Sequence, residues 1–157
     1  MIRGLIARKI KISWWVPEFS FIYEPAKLEG LYILYLDGRD LLYYNFNKSH
    51  ESPVDPGLVS GMFSAITSFI QETTRSSDLL RAIDQGTKKV ILEYTSQSPI
   101  FAAIFADRES SEIRSALQNL LTEFAKKHRR NLETWNGNMD LFKEDSKLVE
   151  KHFNDFL

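Results

Sequence analysis

The chain of 157 residues contains no cysteine, which excludes disulfide bonds and thiolate metal sites. No apolar run approaches the ~20 residues that a membrane-spanning helix needs. Arg8, Lys9 and Lys11 interrupt the first segment, so it lacks the apolar region of a secretory signal peptide. The formal net charge is -1, whereas a general nucleic-acid binder carries an excess of basic residues. We therefore expect a cytoplasmic protein that does not bind nucleic acid.

The sequence also lacks the common catalytic motifs. It has no GxxxxGK[ST] phosphate loop, no GxGxxG after a strand and no GxSxG nucleophile turn. His50, His128 and His152 are far apart, and none belongs to a pair with metal-ligand spacing, so we expect them to be solvated or structural. Asp84 and Glu93 have no evident partner for acid–base chemistry. The sequence predicts neither an enzyme nor a cofactor or metal site.

The composition is that of one globular domain, with 43% hydrophobic and 26% charged residues. Residues 30–46 predict a β-hairpin, because LYILYL and LLYYNF flank Asp37-Gly38, a two-residue turn signal. Three further strands, predicted to form an antiparallel meander, cover residues 79–84, 88–95 and 100–106.

Two helices are predicted in the last third of the chain. Ser110 or Ser111 begins the first of them, and the second begins near Asp145-Ser146. The predicted buried residues of the first are Ile113, Leu117, Leu120, Leu121 and Phe124. Those of the second are Leu148, Val149, Phe153 and Phe156. A loop containing Trp135 and Asn136-Gly137 is expected between them.

A third helix, over residues 54–71, is the most informative segment. Asp55 is placed to cap it, and Pro56 suits the first helical position. No charged residue lies between Asp55 and Glu72. One face is an apolar stripe of Leu58, Val59, Met62, Phe63, Ile66, Phe69 and Ile70. The opposite face is small and uncharged, with Ser60, Gly61, Ser64, Ala65, Thr67 and Ser68.

Small uncharged residues allow another backbone to approach closely. We predict that the apolar stripe packs on the sheet and that the small face binds a partner protein. The predicted partner contacts are Leu58, Ser60, Gly61, Ser64, Ala65, Thr67 and Ser68. The alternative is a helix buried on both faces within one domain.

Residues 2–16 carry four cations and no acid. Alternation favours a strand over residues 8–16. One interpretation is an edge strand with solvated lysines. The other is a contact with an anionic membrane or an acidic partner. That contact would use Arg3, Arg8, Lys9, Lys11, Trp14 and Trp15.

The order of these segments resembles that of longin and roadblock-like domains, including archaeal members. The resemblance rests on GLYILYLDGRDLLYYNF, the Asp-Pro-capped helix, KKVILEYT, PIFAAIFAD and the long helix that follows. It covers residues 30–157, whereas residues 1–29 form a basic and aromatic extension. It implies an α+β fold with longin/profilin-like αβα layering. Helices would flank a central antiparallel sheet of about five strands, which N-terminal strands could extend.

The resemblance also implies a non-enzymatic protein-interaction module. Such a module would be a dimerising scaffold or regulator of a small Ras-like GTPase in membrane trafficking or polarity-type signalling. Its partners would be the GTPase or another longin/roadblock-like subunit, in a homo- or heterodimer, with peripheral membrane contact. The alternative is a small-molecule sensor whose pocket between sheet and helix is lined by Tyr32, Tyr43, Tyr44 and Tyr94.

Overall fold

The computed structural model describes residues 6–8, 21–48, 55–75 and 77–157. The strands are β1 Ile6–Arg8, β2 Phe21–Tyr23, β3 Leu28–Tyr35, β4 Asp40–Asn45, β5 Ala82–Gln85, β6 Lys88–Tyr94 and β7 Ile100–Ala106. The α-helices are α1 Pro56–Thr74, α2 Ser111–Lys127, α3 Arg129–Glu133 and α4 Ser146–His152. Two 3₁₀ helices cover Met139–Asp145 and Asn154–Phe156.

Five strands form the central antiparallel sheet, in the order β4-β3-β7-β6-β5. The predicted hairpin is β3–β4, and the predicted meander is β5–β6–β7. Strand β3 pairs with β7, with Leu31 opposite Ile104, and this pairing joins hairpin and meander into one sheet. Both strands are therefore central and covered on two faces, which explains their nearly continuous apolar sequences.

Strands β1 and β2 form a separate two-stranded antiparallel sheet, with Ile6 opposite Tyr23. In the described part of the chain, they do not pair with the central sheet. Strand β1 ends at Arg8, and the remainder of the strand predicted over residues 8–16 lies outside the described residues. The same holds for Arg3, Lys9, Lys11, Trp14 and Trp15.

Helices cover both faces of the central sheet, which confirms the predicted α+β fold with αβα layering. Helices α2 and α4 pack on one face and enclose the larger core, which includes Leu31, Ile104 and Phe124. Helix α1 packs on the other face over a smaller core of Tyr32, Leu34, Val59, Phe63, Val90, Leu92, Phe101 and Ala103.

Both predicted N-caps are present. The Asp55 carboxylate accepts hydrogen bonds from the backbone N–H of Gly57 at 2.7 Å and of Leu58 at 3.3 Å. The Ser110 hydroxyl accepts one from the N–H of Ile113 at 3.2 Å. These bonds satisfy N–H groups that have no partner within the first turn of a helix, so each helix begins where its cap lies.

The turn of the β3–β4 hairpin is longer than the predicted two residues. It comprises residues 36–39, because the Tyr35 N–H donates to the Arg39 carbonyl at 2.8 Å. The Asp37 carboxylate accepts from the backbone and the guanidinium of Arg39. The hydrogen bond from the guanidinium lowers the pKa of Asp37. The same guanidinium lies over the Trp135 ring, 4.7 Å from its centroid. These side-chain contacts favour the wider turn.

The predicted loop around Trp135 contains α3 and the 3₁₀ helix Met139–Asp145. Polar contacts among His128, Asp145 and Lys127 connect this region to the end of α2. His128 and Asp145 are both buried, and His128 Nε2 lies 2.6 Å from Asp145 Oδ2. Lys127 Nζ donates to the other carboxylate oxygen at 2.5 Å. His128 therefore has a structural role, because it holds Asp145 at the start of α4 against the end of α2.

Glu93 is buried in β6, with 7% of its surface exposed. Its Oε1 lies 2.5 Å from Arg114 Nη1 of α2 and 3.2 Å from Arg81 Nη2. The expectation that Glu93 lacks a partner is therefore wrong, and so is the one for Asp84, which pairs with Lys89. The partners of Glu93 are separated from it by 12 and 21 residues, so helical or strand spacing does not indicate them.

Replacing Arg114 with methionine should destabilise the fold by about 2–3 kcal/mol, because a buried carboxylate keeps only the exposed Arg81 as a partner. The double variant Glu93→Leu/Arg114→Met should recover most of this loss. Urea unfolding measures both. As a control, Arg129→Met removes an exposed pair with Glu133 and should change stability by about 0.5 kcal/mol or less. Equal losses at Arg114 and Arg129 would contradict a buried anchor.

Candidate partner-binding surface on helix α1

Helix α1 is held on the sheet by few side chains. Val59 is 5% exposed and Phe63 is fully buried. The Phe63 ring meets Phe101 edge-on at a centroid distance of 6.2 Å and lies 6.3 Å from the Phe105 ring. These two α1 positions are four residues apart and therefore lie one above the other on the same side of the helix.

The rest of the predicted apolar stripe is largely exposed. Leu58 is 68% exposed, Met62 41% and Phe69 66%. The prediction that the whole stripe packs on the sheet is therefore wrong. Each residue turns an α-helix by about 100°, so Val59 and Phe63 lie about 100° around the axis from Leu58 and Met62. Once Val59 and Phe63 point at the sheet, the neighbouring sector points to solvent.

The small face of α1 has a partner within the chain. Gly38 in the β3–β4 turn has a φ of +93°, a region that favours glycine. A Cβ atom at Gly38 would lie 2.9 Å from the Cβ of Ser64 and 3.2 Å from the Ser60 carbonyl oxygen. The backbone that approaches α1 at Ser60 and Ser64 is therefore the chain's own hairpin turn, which is a correction to the predicted partner contact at these positions.

The predicted contact residues thus divide into two groups. Ser60 is buried, and Ser64 and Thr67 are half-buried on the side of the sheet and the turn. Burial raises the pKa of the nearby Tyr94 phenol, whose buried hydroxyl has no hydrogen-bond partner among the described residues. The predicted contact residues that face solvent are Leu58, Gly61, Ala65 and Ser68.

We define the α1 stripe as Leu58, Met62, Ala65 and Phe69, all of which are exposed. Their spacing of four, three and four residues is typical of the seam between two paired helices. No charged residue occurs from 57 to 71, so the nearest charges along the chain are Asp55 and Glu72, beyond the two ends of the stripe. The prediction missed Met62 and Phe69 as surface residues, although this spacing was present in the sequence. These neighbouring exposed apolar side chains make the α1 stripe the candidate protein-interaction surface.

The four tyrosines predicted to line a pocket do not share a face of the sheet. Tyr32, Tyr43 and Tyr94 belong to the core under α1. Tyr44 points to the opposite side, into the core under α2 and α4, where its hydroxyl donates to Glu150 at 3.2 Å. The predicted pocket is therefore wrong in its composition, because residues 43 and 44 are neighbours in a strand and alternate between its faces.

The described residues contain no group of three His, Asp or Glu side chains arranged to hold a metal ion. None of the helices in the described ranges combines the length and the apolar composition that crossing a bilayer requires.

No protein-family model matches the chain. No curated protein matches it. Among solved structures, the chain is similar to a Roadblock/LC7 domain from Streptomyces avermitilis, with 16% sequence identity and a TM-score of 0.47. The match covers 69% of this chain and 88% of that chain. This is a likeness of fold, and the candidate surface rests on the geometry of α1 described above.

Replacing Gly38 with alanine should destabilise the protein more than replacing Gly86, because both have positive φ but only Gly38 abuts α1. Gly86 has a φ of +65°, and a Cβ there would meet no described atom within 4 Å. We expect a cost of about 1–2 kcal/mol at Gly86 from backbone strain. The cost at Gly38 should be about 1–3 kcal/mol larger from overpacking against Ser64. Urea unfolding measures both, and equal costs would show that α1 does not rest on the turn.

Proposed function

We propose that this chain is a non-enzymatic protein-interaction module that binds its partner through the α1 stripe. One observation carries the proposal: Leu58, Met62 and Phe69 are 68%, 41% and 66% exposed on a helix without charge between Asp55 and Glu72. Exposed apolar side chains on an uncharged helical face are costly in water unless another surface covers them. The helix remains attached to the sheet by its other side, so the stripe is available for binding.

In its finer form, the proposal is a dimerising scaffold or regulator of a small Ras-like GTPase in membrane trafficking or polarity-type signalling. The partner is the GTPase or another longin/roadblock-like subunit, and the protein acts in the cytoplasm. Support comes from the resemblance of residues 30–157 to longin and roadblock-like domains and from the α1 stripe. Residues 1–29 form the proposed extension, whose four cations would add an electrostatic contact to an anionic membrane or an acidic partner.

Replacing Phe69 with glutamate should weaken partner binding at least about tenfold, because a charge would enter an apolar contact. The matched control is Gln71→Glu, which adds the same charge at an exposed position of α1 outside the stripe. Calorimetry with GDP-loaded and GTP-loaded Ras-like GTPases encoded in the same genome provides the measurement. Binding that both variants retain in full would overturn the α1 stripe as the docking surface. Absence of binding to any such GTPase would overturn the finer proposal.

The isolated protein should neither bind nor hydrolyse GTP or ATP, because its sequence lacks a glycine-rich phosphate cradle. Titration calorimetry with each nucleotide in the presence of Mg²⁺ tests binding, and phosphate release tests hydrolysis. Micromolar or tighter nucleotide binding would contradict the non-enzymatic function and would point to a regulator that senses nucleotide itself.

A further inference from the structure

We propose that Arg39 is a positioning residue for the α1 stripe and that it acts through its stack on Trp135. The inference rests on the proposed function and names a point from which the same surface is controlled. Arg39 lies in the turn between β3 and β4, and Trp135 lies in the loop that follows α3. Neither residue belongs to the stripe, so their influence on α1 passes through the turn.

Two neighbouring residues of this turn contact different layers of the protein. Gly38 is buried against α1, where a Cβ atom would lie 2.9 Å from the Cβ of Ser64. The guanidinium carbon of Arg39 lies 4.7 Å from the centroid of the Trp135 ring. Trp135 in turn packs against the core under α2 and α4. Because adjacent Cα atoms are only about 3.8 Å apart, a displacement at position 39 also displaces position 38.

Arg39 is held by two aromatic rings and a carboxylate. Its guanidinium carbon lies 5.1 Å from the centroid of the Tyr35 ring, and the Tyr35 and Trp135 rings stack with their centroids 5.9 Å apart. Its Nε donates to the Asp37 carboxylate at 2.8 Å. A planar guanidinium can stack on a ring while it binds a carboxylate, whereas a lysine ammonium is a compact charge without a stacking face. The stack on Trp135 is therefore specific to arginine.

The ring under the guanidinium is itself anchored. Trp135 Nε1 donates to the Asn138 carbonyl at 3.0 Å, and the ring lies 6.0 Å from that of the fully buried Phe142. The Tyr35 hydroxyl donates to the Leu132 carbonyl at 3.3 Å. These contacts attach both rings to the α2–α4 layer. The stack therefore ties the position of the turn to that layer.

The turn can pass this position on to α1 because its own backbone closes it. The Tyr35 N–H donates to the Arg39 carbonyl at 2.8 Å, and the Gly38 N–H donates to the Tyr35 carbonyl at 2.9 Å. Helix α1 buries mainly Val59 and Phe63, so the contact with the turn has a large share in fixing its rotation. Packed contacts of this kind carry energetic coupling between distant sites. Loss of the stack should therefore loosen α1.

A single thiol reports whether the turn stays on α1. The chain has no cysteine, and Ser60 is 4% exposed beside the turn, so Ser60→Cys gives one occluded reporter. A small water-soluble thiol reagent reacts with it only when the turn and α1 separate. In this background, Arg39→Lys should speed the reaction at least about threefold, the factor that corresponds to loss of one exposed cation–π contact. The matched control Arg129→Lys, in an exposed pair with Glu133, should leave the rate unchanged.

Trp135 provides the second half of the test. Trp135→Leu should also speed the reaction at position 60. Adding Arg39→Lys to Trp135→Leu should then have little further effect, because the ring on which the guanidinium stacks is already absent. If the two substitutions act independently, so that their factors multiply, the stack is not the route to α1 and the inference is overturned.

A purely structural contact gives a different result. Ala125 is 1% exposed in α2, so the thiol of Ala125→Cys, measured in a separate protein, reports opening of the larger core. We expect the thiol at position 60 to react faster than the one at 125, because α1 opens before α2. Acceleration by Arg39→Lys at position 125 alone would show that Arg39 adds only to general stability. Equal rates at positions 60 and 125 with Arg39 in place would show that α1 opens only with the whole fold. Either result overturns the positioning role.

The inference and the proposed function fail differently. The thiol labelling uses the chain alone, so it decides the role of Arg39 even if no GTPase binds the stripe. Where a partner does bind, Arg39→Lys should weaken that binding several-fold although it lies outside the stripe, and Arg129→Lys should not. Unchanged binding by the Arg39→Lys variant would overturn control of the surface by Arg39 and leave the proposed function in place.

Discussion

The contact between the β3–β4 turn and helix α1 determines how the candidate surface is presented. Gly38 brings the turn against Ser60 and Ser64, and Phe63 points into the sheet from the neighbouring sector of the helix. Together, these contacts fix the rotation of α1 about its axis. The rotation in turn places Leu58 and Phe69 in solvent. A different rotation would bury the apolar stripe and expose the serines, so this contact decides which side chains of α1 face solvent.

The two layers of helices differ in how many apolar side chains they bury. Helices α2 and α4 enclose a continuous core with fully buried residues such as Phe124, Phe142 and Phe153. Helix α1 buries mainly Val59 and Phe63. Stability is therefore concentrated in the α2–α4 layer, where burial of apolar surface is greatest. The α1 layer can present apolar side chains to another protein because the fold does not depend on burying all of them.

The buried carboxylates Glu93 and Asp145 are both paired with residues of α2 or of its C-terminal end. Glu93 is anchored by Arg114 of α2, and Asp145 is anchored by Lys127 and His128 at the end of α2. These carboxylates are paired, which offsets the cost of removing them from water, and they orient α2 and α4. The exposed side of α1 has no charge from residue 57 to 71. A surface without charge carries a small desolvation cost when it is covered, which suits an interface.

The sequence by itself determined the elements whose signals are local. Strand alternation gave the hairpin and the meander, and Asp55 and Ser110 gave the starts of α1 and α2, because period and capping depend on near neighbours. Only the tertiary structure decided which sector of α1 meets the sheet. The apolar residues of α1 span a sector of about 140°, which is wider than the part of the helix that meets the sheet, so periodicity allows several rotations. The distant contacts of Gly38 and Phe101 select one of them. The partner of Glu93 and the opposite faces of Tyr43 and Tyr44 likewise follow from contacts between segments that are far apart in the chain.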